Sequence, residues 1–191
     1  MTGRTHDLAA FTVLIAVVSL HQPTALSLST LLTSVLANQI GGVLPDIDQP
    51  TAPLWRNLPI GGIFGKIFGR LSGGHRFITH SLLGVILFGF GFRALLVFLG
   101  PLLGHINTGF VWWAFMIGMA SHLVMDSFTK EGIPLLLPIP WHFGFPPLKS
   151  LRITTGKWVE QFIIFPGLFI LCGYLFVSNR AEFLAILHAV R

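Results

Sequence analysis

Three apolar stretches, Ser81–Leu99, Gly109–Met125 and the somewhat shorter Phe162–Val177, have the length and composition of helices that cross a bilayer. A chain that carries them is tightly constrained, because in lipid every backbone polar group must be satisfied internally. Two further segments, Leu8–Leu20 and Leu26–Leu44, are shorter or more polar, the second holding Asn38, Gln39 and several hydroxyls. They read as two short spans or as a hairpin dipping into the bilayer, and either option returns the chain to its starting side. Composition agrees: 53% of the 191 residues are hydrophobic and only 10% charged, against about 25% charged in a soluble domain. A mean hydropathy of +0.77 leaves too little polar surface to coat a water-soluble globule. The expected fold is all-α, a polytopic helical membrane protein of about five membrane-embedded helices in a single domain over residues 1–191.

Charge sets the expected orientation. Arg4, Arg56, Lys66, Arg70, Arg76, Lys130, Lys149, Arg152 and Lys157 all fall on one side of this topology, while the connections His21–Ala25 and Gly100–Thr108 hold no Lys or Arg. The positive-inside rule then places the N-terminus and the loops 45–80 and 127–161 in the cytoplasm, in a multi-pass membrane protein. The net charge of +5 is spread through these loops, so nucleic acid is not an expected partner. Arg4 followed by Leu8–Leu20 has the outline of a signal peptide, with Ala25-Leu26-Ser27 as an imperfect cleavage site. The segment is read as retained, because cleavage would discard His6. In the first loop Ile60, Ile63, Phe64, Ile67, Phe68 and Leu71 repeat at helical spacing beside Lys66 and Arg70, which predicts an amphipathic interfacial helix despite four glycines. Trp141-His-Phe-Gly-Phe-Pro-Pro147 reads as an aromatic interfacial anchor. The stretch Ala181–Val190 is too short to span.

With one cysteine, Cys172, in an apolar run, no thiolate knuckle is available, and any metal must use His, Asp and Glu. Asp46 and Asp48 lie in Leu44-Pro-Asp-Ile-Asp48 after the second segment, and an extended turn would aim both carboxylates to one side. The plain alternative is an acidic turn that caps a helix. His75 and His80 precede the third segment, and they converge if His75 sits in a turn and His80 in the first helical turn; otherwise Thr79 or Ser81 merely caps a helix. His122 and Asp126 are spaced i, i+4, which puts both on one face of a helix at its cytoplasmic end. Ionisable groups in such a segment are expensive unless partnered, costing about 2–3 kcal/mol or more at mid-helix. His6 and Glu160 begin the first and last segments, and Glu160 would equally serve as a helix-dipole partner. The topology, derived from Lys and Arg alone, brings His6, Asp46, Asp48, His75, His80, His122, Asp126 and Glu160 to one face. Imidazoles with carboxylates suit zinc foremost, with manganese or iron as alternatives, and the number of donors allows one or two ions. His21, His105 and His188 fall elsewhere.

These motifs resemble the YdjM-like family of bacterial inner-membrane proteins, described as membrane-bound metal-dependent hydrolases. The residues that carry the resemblance are His6, Leu44-Pro-Asp-Ile-Asp48, His75-Arg-Phe-Ile-Thr-His-Ser81, Ser121-His-Leu-Val-Met-Asp126, Gly132-Ile-Pro-Leu-Leu-Leu-Pro138, and Gly156 with Glu160. They cover most of residues 4–165, and the last 25 residues show no likeness. The family is more distantly similar to zinc-dependent phospholipase C and P1-type nucleases, whose trinuclear sites use His-x-x-x-Asp and His-x-x-x-Glu pairs. His122-x-x-x-Asp126 fits the first pair. The second is unmet, since Gly156 stands four before Glu160, and Met1 is not the tryptophan those enzymes require. The resemblance implies hydrolysis of a phosphoester or related ester in a membrane lipid or lipid-linked substrate. Asp46, His122 and Asp126 would be ligands with His75 and His80, Asp48 or Glu160 a bridging ligand or general base, and Arg76 a partner for phosphoryl charge. Arg76 would otherwise snorkel to the interface. Two rival classes remain: a membrane scaffold with a structural metal, and a transporter or proton relay. The latter calls for polar residues along the depth of several spans, whereas the third and fifth are nearly clean.

Overall fold

Ser27, Ser81 and Asn107 each accept a hydrogen bond from a backbone N–H three residues on, at 3.2, 3.1 and 3.0 Å, and so start three of the helices. The computed structural model describes residues 1–21, 26–50, 52, 55, 61–71, 76–139 and 141–189, apart from the side chains of 64, 68, 71 and 187–189. Among the described residues the chain is helical, with no strand. The helices are α1 (Gly3–His21), α2 (Leu28–Val43), α3 (Gly61–Leu71), α4 (Leu82–Phe98), α5 (Thr108–Ser127), α6 (Phe165–Ser178) and α7 (Arg180–Ala189). A 3₁₀ turn, Leu44–Asp48, follows α2, and a π-helical turn, Glu160–Ile164, runs straight into α6. Helices α1, α5 and the continuous Glu160–Ser178 are long and apolar enough to cross a membrane, whereas α4, at 17 residues, is shorter.

Most boundaries shift by a residue or two from the sequence reading, and two of the shifts have a plain cause. The first segment extends back to Gly3, giving 19 residues, because its polar first turn is helical and buries Thr5 and His6. An apolar count cannot see such a turn. The third shortens at its start because Ser81 is the cap rather than a helical residue. The terminal helix α7 folds back, with Phe183 stacked on Phe176 at 5.1 Å and Ile186 buried against Leu14, Val18 and Ala114.

Helix α5 is the axis of the bundle and packs most extensively on α2, with α1 and α4 on its other sides. Its Val111, Phe115, Met119 and Leu123 form the main core with Ala37, Val85, Leu96 and Ile133. Helix α2 turns Leu28, Leu32, Leu36 and Ile40 outward, all about half exposed or more, and buries Thr30, Ser34, Ala37, Asn38, Gly41 and Gly42. Large apolar residues outside with small and polar ones inside is the arrangement expected where lipid, not water, surrounds the helix. The small residues allow close approach: a Cβ on Gly118 would lie 2.1 Å from the Asn38 carbonyl oxygen, and one on Gly41 would lie 2.2 Å from that of Phe115. Asn38 adds an interhelical hydrogen bond, donating to the Ala114 carbonyl at 3.1 Å.

The interfacial helix is present as α3, with Ile63, Ile67, Lys66 and Arg70 exposed. Its glycines are not a weakness. Gly61, Gly65 and Gly69 form a buried stripe, and Cβ atoms there would stand 2.1 Å from the Trp55 carbonyl oxygen, 2.8 Å from Pro50 and 2.6 Å from the Asp48 carbonyl oxygen. The stripe seats α3 on the turn that carries the acidic pair. The second long loop is a folded cap: Thr129 pairs with Ile153, Ile133 with Phe143, and the Leu82 N–H donates to the Leu135 carbonyl at 2.9 Å. Trp141 at its tip is exposed, as an anchor would be.

Candidate metal centre

Five of the predicted site residues arrive at one end of the bundle from four elements: His6 from α1, Asp46 from the 3₁₀ turn, His80 from the turn before α4, and His122 and Asp126 from α5. Ligand atoms of His6, His122 and Asp126 lie within 4.8 Å of one another, as do those of Asp46, His80 and His122. His122 belongs to both sets. The His6 and His122 rings stack with centroids 3.7 Å apart, and His80 Nε2 is 3.2 Å from His122 Nε2. Asp126 Oδ2 is 3.5 Å from His80 Nε2, and Asp126 Oδ1 is 3.2 Å from His6 Nε2. His6, His80, His122 and Asp126 are at most 1% exposed, whereas the Asp46 side chain keeps 17%. The cluster therefore has one mouth.

Hydrogen bonds determine which nitrogens face inward. His122 Nδ1 is 2.6 Å from the Gly42 carbonyl oxygen, which can only accept, so the proton sits on Nδ1 and Nε2 presents a lone pair. The Thr79 hydroxyl donates to Asp48 Oδ2 at 2.5 Å, so at 2.9 Å it accepts from His80 Nδ1–H, and His80 Nε2 likewise points its lone pair inward. Two lone pairs facing at 3.2 Å repel unless a cation lies between them. Burial disfavours a charged His80, yet its contacts with Asp126 and Asp46 outweigh this and raise its pKa. Burial would likewise raise the Asp46 carboxyl, but the imidazoles of His80, His122 and His6 hold it well below the usual carboxylate range. His6 Nδ1 has no hydrogen-bond partner among the described residues, and Nε2 has only the poorly aligned contact with Asp126 Oδ1. Such orphaned buried donors are uncommon and point to a missing partner.

The remaining predicted residues surround this cluster. The acidic turn is 3₁₀, with Pro45 in its first turn, not extended, so its two carboxylates diverge and take opposite edges of His80. Asp46 Oδ1 is 3.6 Å from Nε2, and Asp48 Oδ2 is 3.8 Å from Nδ1. Asp48 is buried behind the ring, where it also accepts from the Arg76 N–H at 2.8 Å. That bond accompanies a left-handed backbone at Arg76, with φ of 59°. The Arg76 side chain does not snorkel; it is buried, with Nη2 2.6 Å from Asp126 Oδ2 and Nη1 on Thr129, the Gly132 carbonyl and Glu131 at 2.9, 3.2 and 3.3 Å. His80 lies before the Ser81 cap, not in the first helical turn, and His75 lies outside the described residues. Glu160 is buried at the same end but in neither set. Its Oε1 accepts from the Thr2 N–H and hydroxyl and from Thr5 at 2.6, 2.8 and 2.7 Å, and its Oε2 from the Gly156 N–H at 2.7 Å. Gly156 has φ of 71°, a conformation that favours glycine. Glu160 thus pins the start of α1, and with it His6. The Met1 amino group contacts Asp126 Oδ1. Thr79, Thr2, Thr5 and the Gly42 carbonyl were not anticipated, since nothing in a lone hydroxyl or a backbone oxygen marks it in a sequence.

A family model described as YdjM inner membrane protein matches residues 1–187. The chain is 32% identical over 137 residues to the uncharacterized protein YvsG of Bacillus subtilis (strain 168), covering 72% of this chain and 74% of the relative. It is 33% identical over 133 residues to the inner membrane protein YdjM of Escherichia coli (strain K12), covering 63% of this chain and 56% of the relative, and equally to that of Shigella flexneri. The matched region is thus little more than half the length of the YdjM proteins themselves. No solved structure matches the chain.

Proposed function

The chain belongs to the YdjM inner membrane protein family, and from that premise we propose that it is a membrane-embedded, metal-dependent hydrolase acting on a phosphoester or ester of a lipid or lipid-linked substrate. The observation that carries the reading is the inward-facing Nε2 pair of His80 and His122, flanked by His6, Asp46 and Asp126. The donors fit a divalent ion: they are neutral imidazoles and carboxylates without thiolate, which suits zinc first and then manganese or iron. The two overlapping sets fit one or two ions. When bound, such an ion supplies Lewis acidity and lowers the pKa of water from 15.7 to about 7. The protein's own contributions are positional. Asp48 acts through Thr79 to orient His80, Gly42 orients His122, and Arg76 holds Asp126 in line while bringing a positive charge to the edge of the site. The asymmetry of Lys and Arg supports a cytoplasmic location for the cluster.

A structural metal inside a scaffold is the competing reading, and the partial exposure of Asp46 weighs against it, because closed sites leave no approach. Elemental analysis of the detergent-purified protein decides the first point: about one or two equivalents of a transition metal are expected, and metal near zero leaves only the scaffold. Hydrolysis of phosphoester lipids by the loaded protein decides the second.

Binding should also depend on pH. The raised pKa of His80 means that a proton occupies the bare site up to above the ordinary histidine value, and an entering ion must displace it. Zinc affinity, read by chelator competition, should therefore climb as pH rises through and beyond the ordinary histidine range. A flat profile over that range contradicts the assignment of His80 as a ligand.

A further inference from the structure

Beside the cluster, the loop after α5 forms a cavity of about 530 Å³ lined by Arg76, Lys130, Glu131, His142, Lys149 and Arg152. Four of the six are permanent cations. Glu131 and the Asp126 that pairs with Arg76 neutralise two of them, which leaves two positive charges uncompensated. The wall is built rather than incidental. Arg152 is held by the carbonyls of Pro146, Gly144 and Pro147 at 2.8, 2.9 and 3.1 Å, and the Lys130 N–H donates to the Ile153 carbonyl at 3.0 Å. Arg76 is only 7% exposed, and its Nε has no hydrogen-bond partner among the described residues. A buried guanidinium that keeps a spare donor beyond its contacts with Asp126 and Glu131, in a cavity also lined by two exposed lysines, leaves room for a further anion.

We propose that this cavity binds a doubly charged phosphate group, whether the headgroup of a phosphomonoester lipid or free phosphate. The inference deepens the hydrolase reading by naming the charged half of its substrate or product, and it rests on that reading for its role in turnover. Two uncompensated charges match a dianion better than a carboxylate, and Arg76 joins the cavity to the cluster through Asp126.

The test uses the full chain in detergent, stripped of metal with a chelator and titrated calorimetrically with inorganic phosphate. Lys130→Ala combined with Lys149→Ala should weaken binding by about tenfold, the loss of two charge-assisted contacts. Lys66→Ala, on α3 and outside the cavity, should leave it unchanged. Competition by nanodiscs containing phosphatidate, but not by those of phosphatidylcholine alone, would identify a lipid headgroup as the source; no competition would identify free phosphate. Unchanged affinity in the double variant overturns the proposal. So does phosphate binding that disappears on chelation or in His122→Ala, since the anion would then sit on the metal. That last outcome leaves the hydrolase reading intact, while wild-type protein that carries no metal as purified, before any chelator, and still binds phosphate removes the hydrolase and keeps the cavity.

Discussion

His122→Ala should purify as a folded, membrane-inserted protein that has lost its metal. His122 is the member common to both donor sets, so its removal leaves each with two of its three groups. No other described side chain stands in its place, and metal content is expected to fall from about one or two equivalents to near zero, with hydrolysis falling alongside. The structural cost is modest: the Gly42 carbonyl loses its donor, worth about 1–3 kcal/mol. Asp126→Asn provides the contrast. It removes a donor too, but it also takes the counter-charge from a buried guanidinium 2.6 Å away, and breaking such a pair costs about 3–5 kcal/mol. Exposed Glu131, 3.3 Å from Arg76, offsets part of this. Elemental analysis and thermal unfolding in detergent should thus separate the two variants: metal lost with the fold kept in the first, both impaired in the second. A His122→Ala protein that retains its metal, or that loses it and still hydrolyses, would end the proposed mechanism.

Gly118→Leu should be the more damaging change, although it touches no polar group. The first added carbon would stand 2.1 Å from the Asn38 carbonyl oxygen and 2.8 Å from the Gly42 nitrogen, both backbone atoms that cannot swing aside. Helices α2 and α5 must separate, and a loss of more than about 4 kcal/mol is expected. Separation also carries the Gly42 carbonyl away from His122 and the Asp46 turn away from His80, so metal and fold should be lost together. Gly91→Leu is the matched control, because nothing lies within 4 Å of the added carbon. Equal thermal stability of the two variants would show that the α2–α5 contact is not the keystone inferred here.

How much of this could be read in advance differed from element to element. His122 and Asp126 were legible because their spacing fixes them on one helical face, whatever surrounds the helix. The Asp46–Asp48 turn was misjudged, since whether a Pro-containing turn is extended or 3₁₀ depends on what it packs against, here α3. The glycines of α3 misled for the same reason: propensity counts their cost in an isolated helix and cannot count a neighbour that needs their absent side chains. Glu160 lies at the same end of the molecule as the cluster. Its oxygens nevertheless face Thr2, Thr5 and Gly156, partners up to 158 residues away in the chain.

From the sequence alone came the medium and the gathering of the site: apolar length demands lipid, and the Lys–Arg asymmetry together with helical spacing sends imidazoles and carboxylates toward one end. Both are local or additive properties, so they survive ignorance of the fold. The tertiary structure decided which of those groups meet, which nitrogen each ring presents, and why Arg76 is buried rather than snorkelling. These depend on close backbone approach and on single hydrogen bonds between elements distant in the chain, such as Gly42 to His122 and Thr79 to Asp48. No periodicity encodes such contacts, because each is fixed only once two packed surfaces leave a polar atom one possible partner.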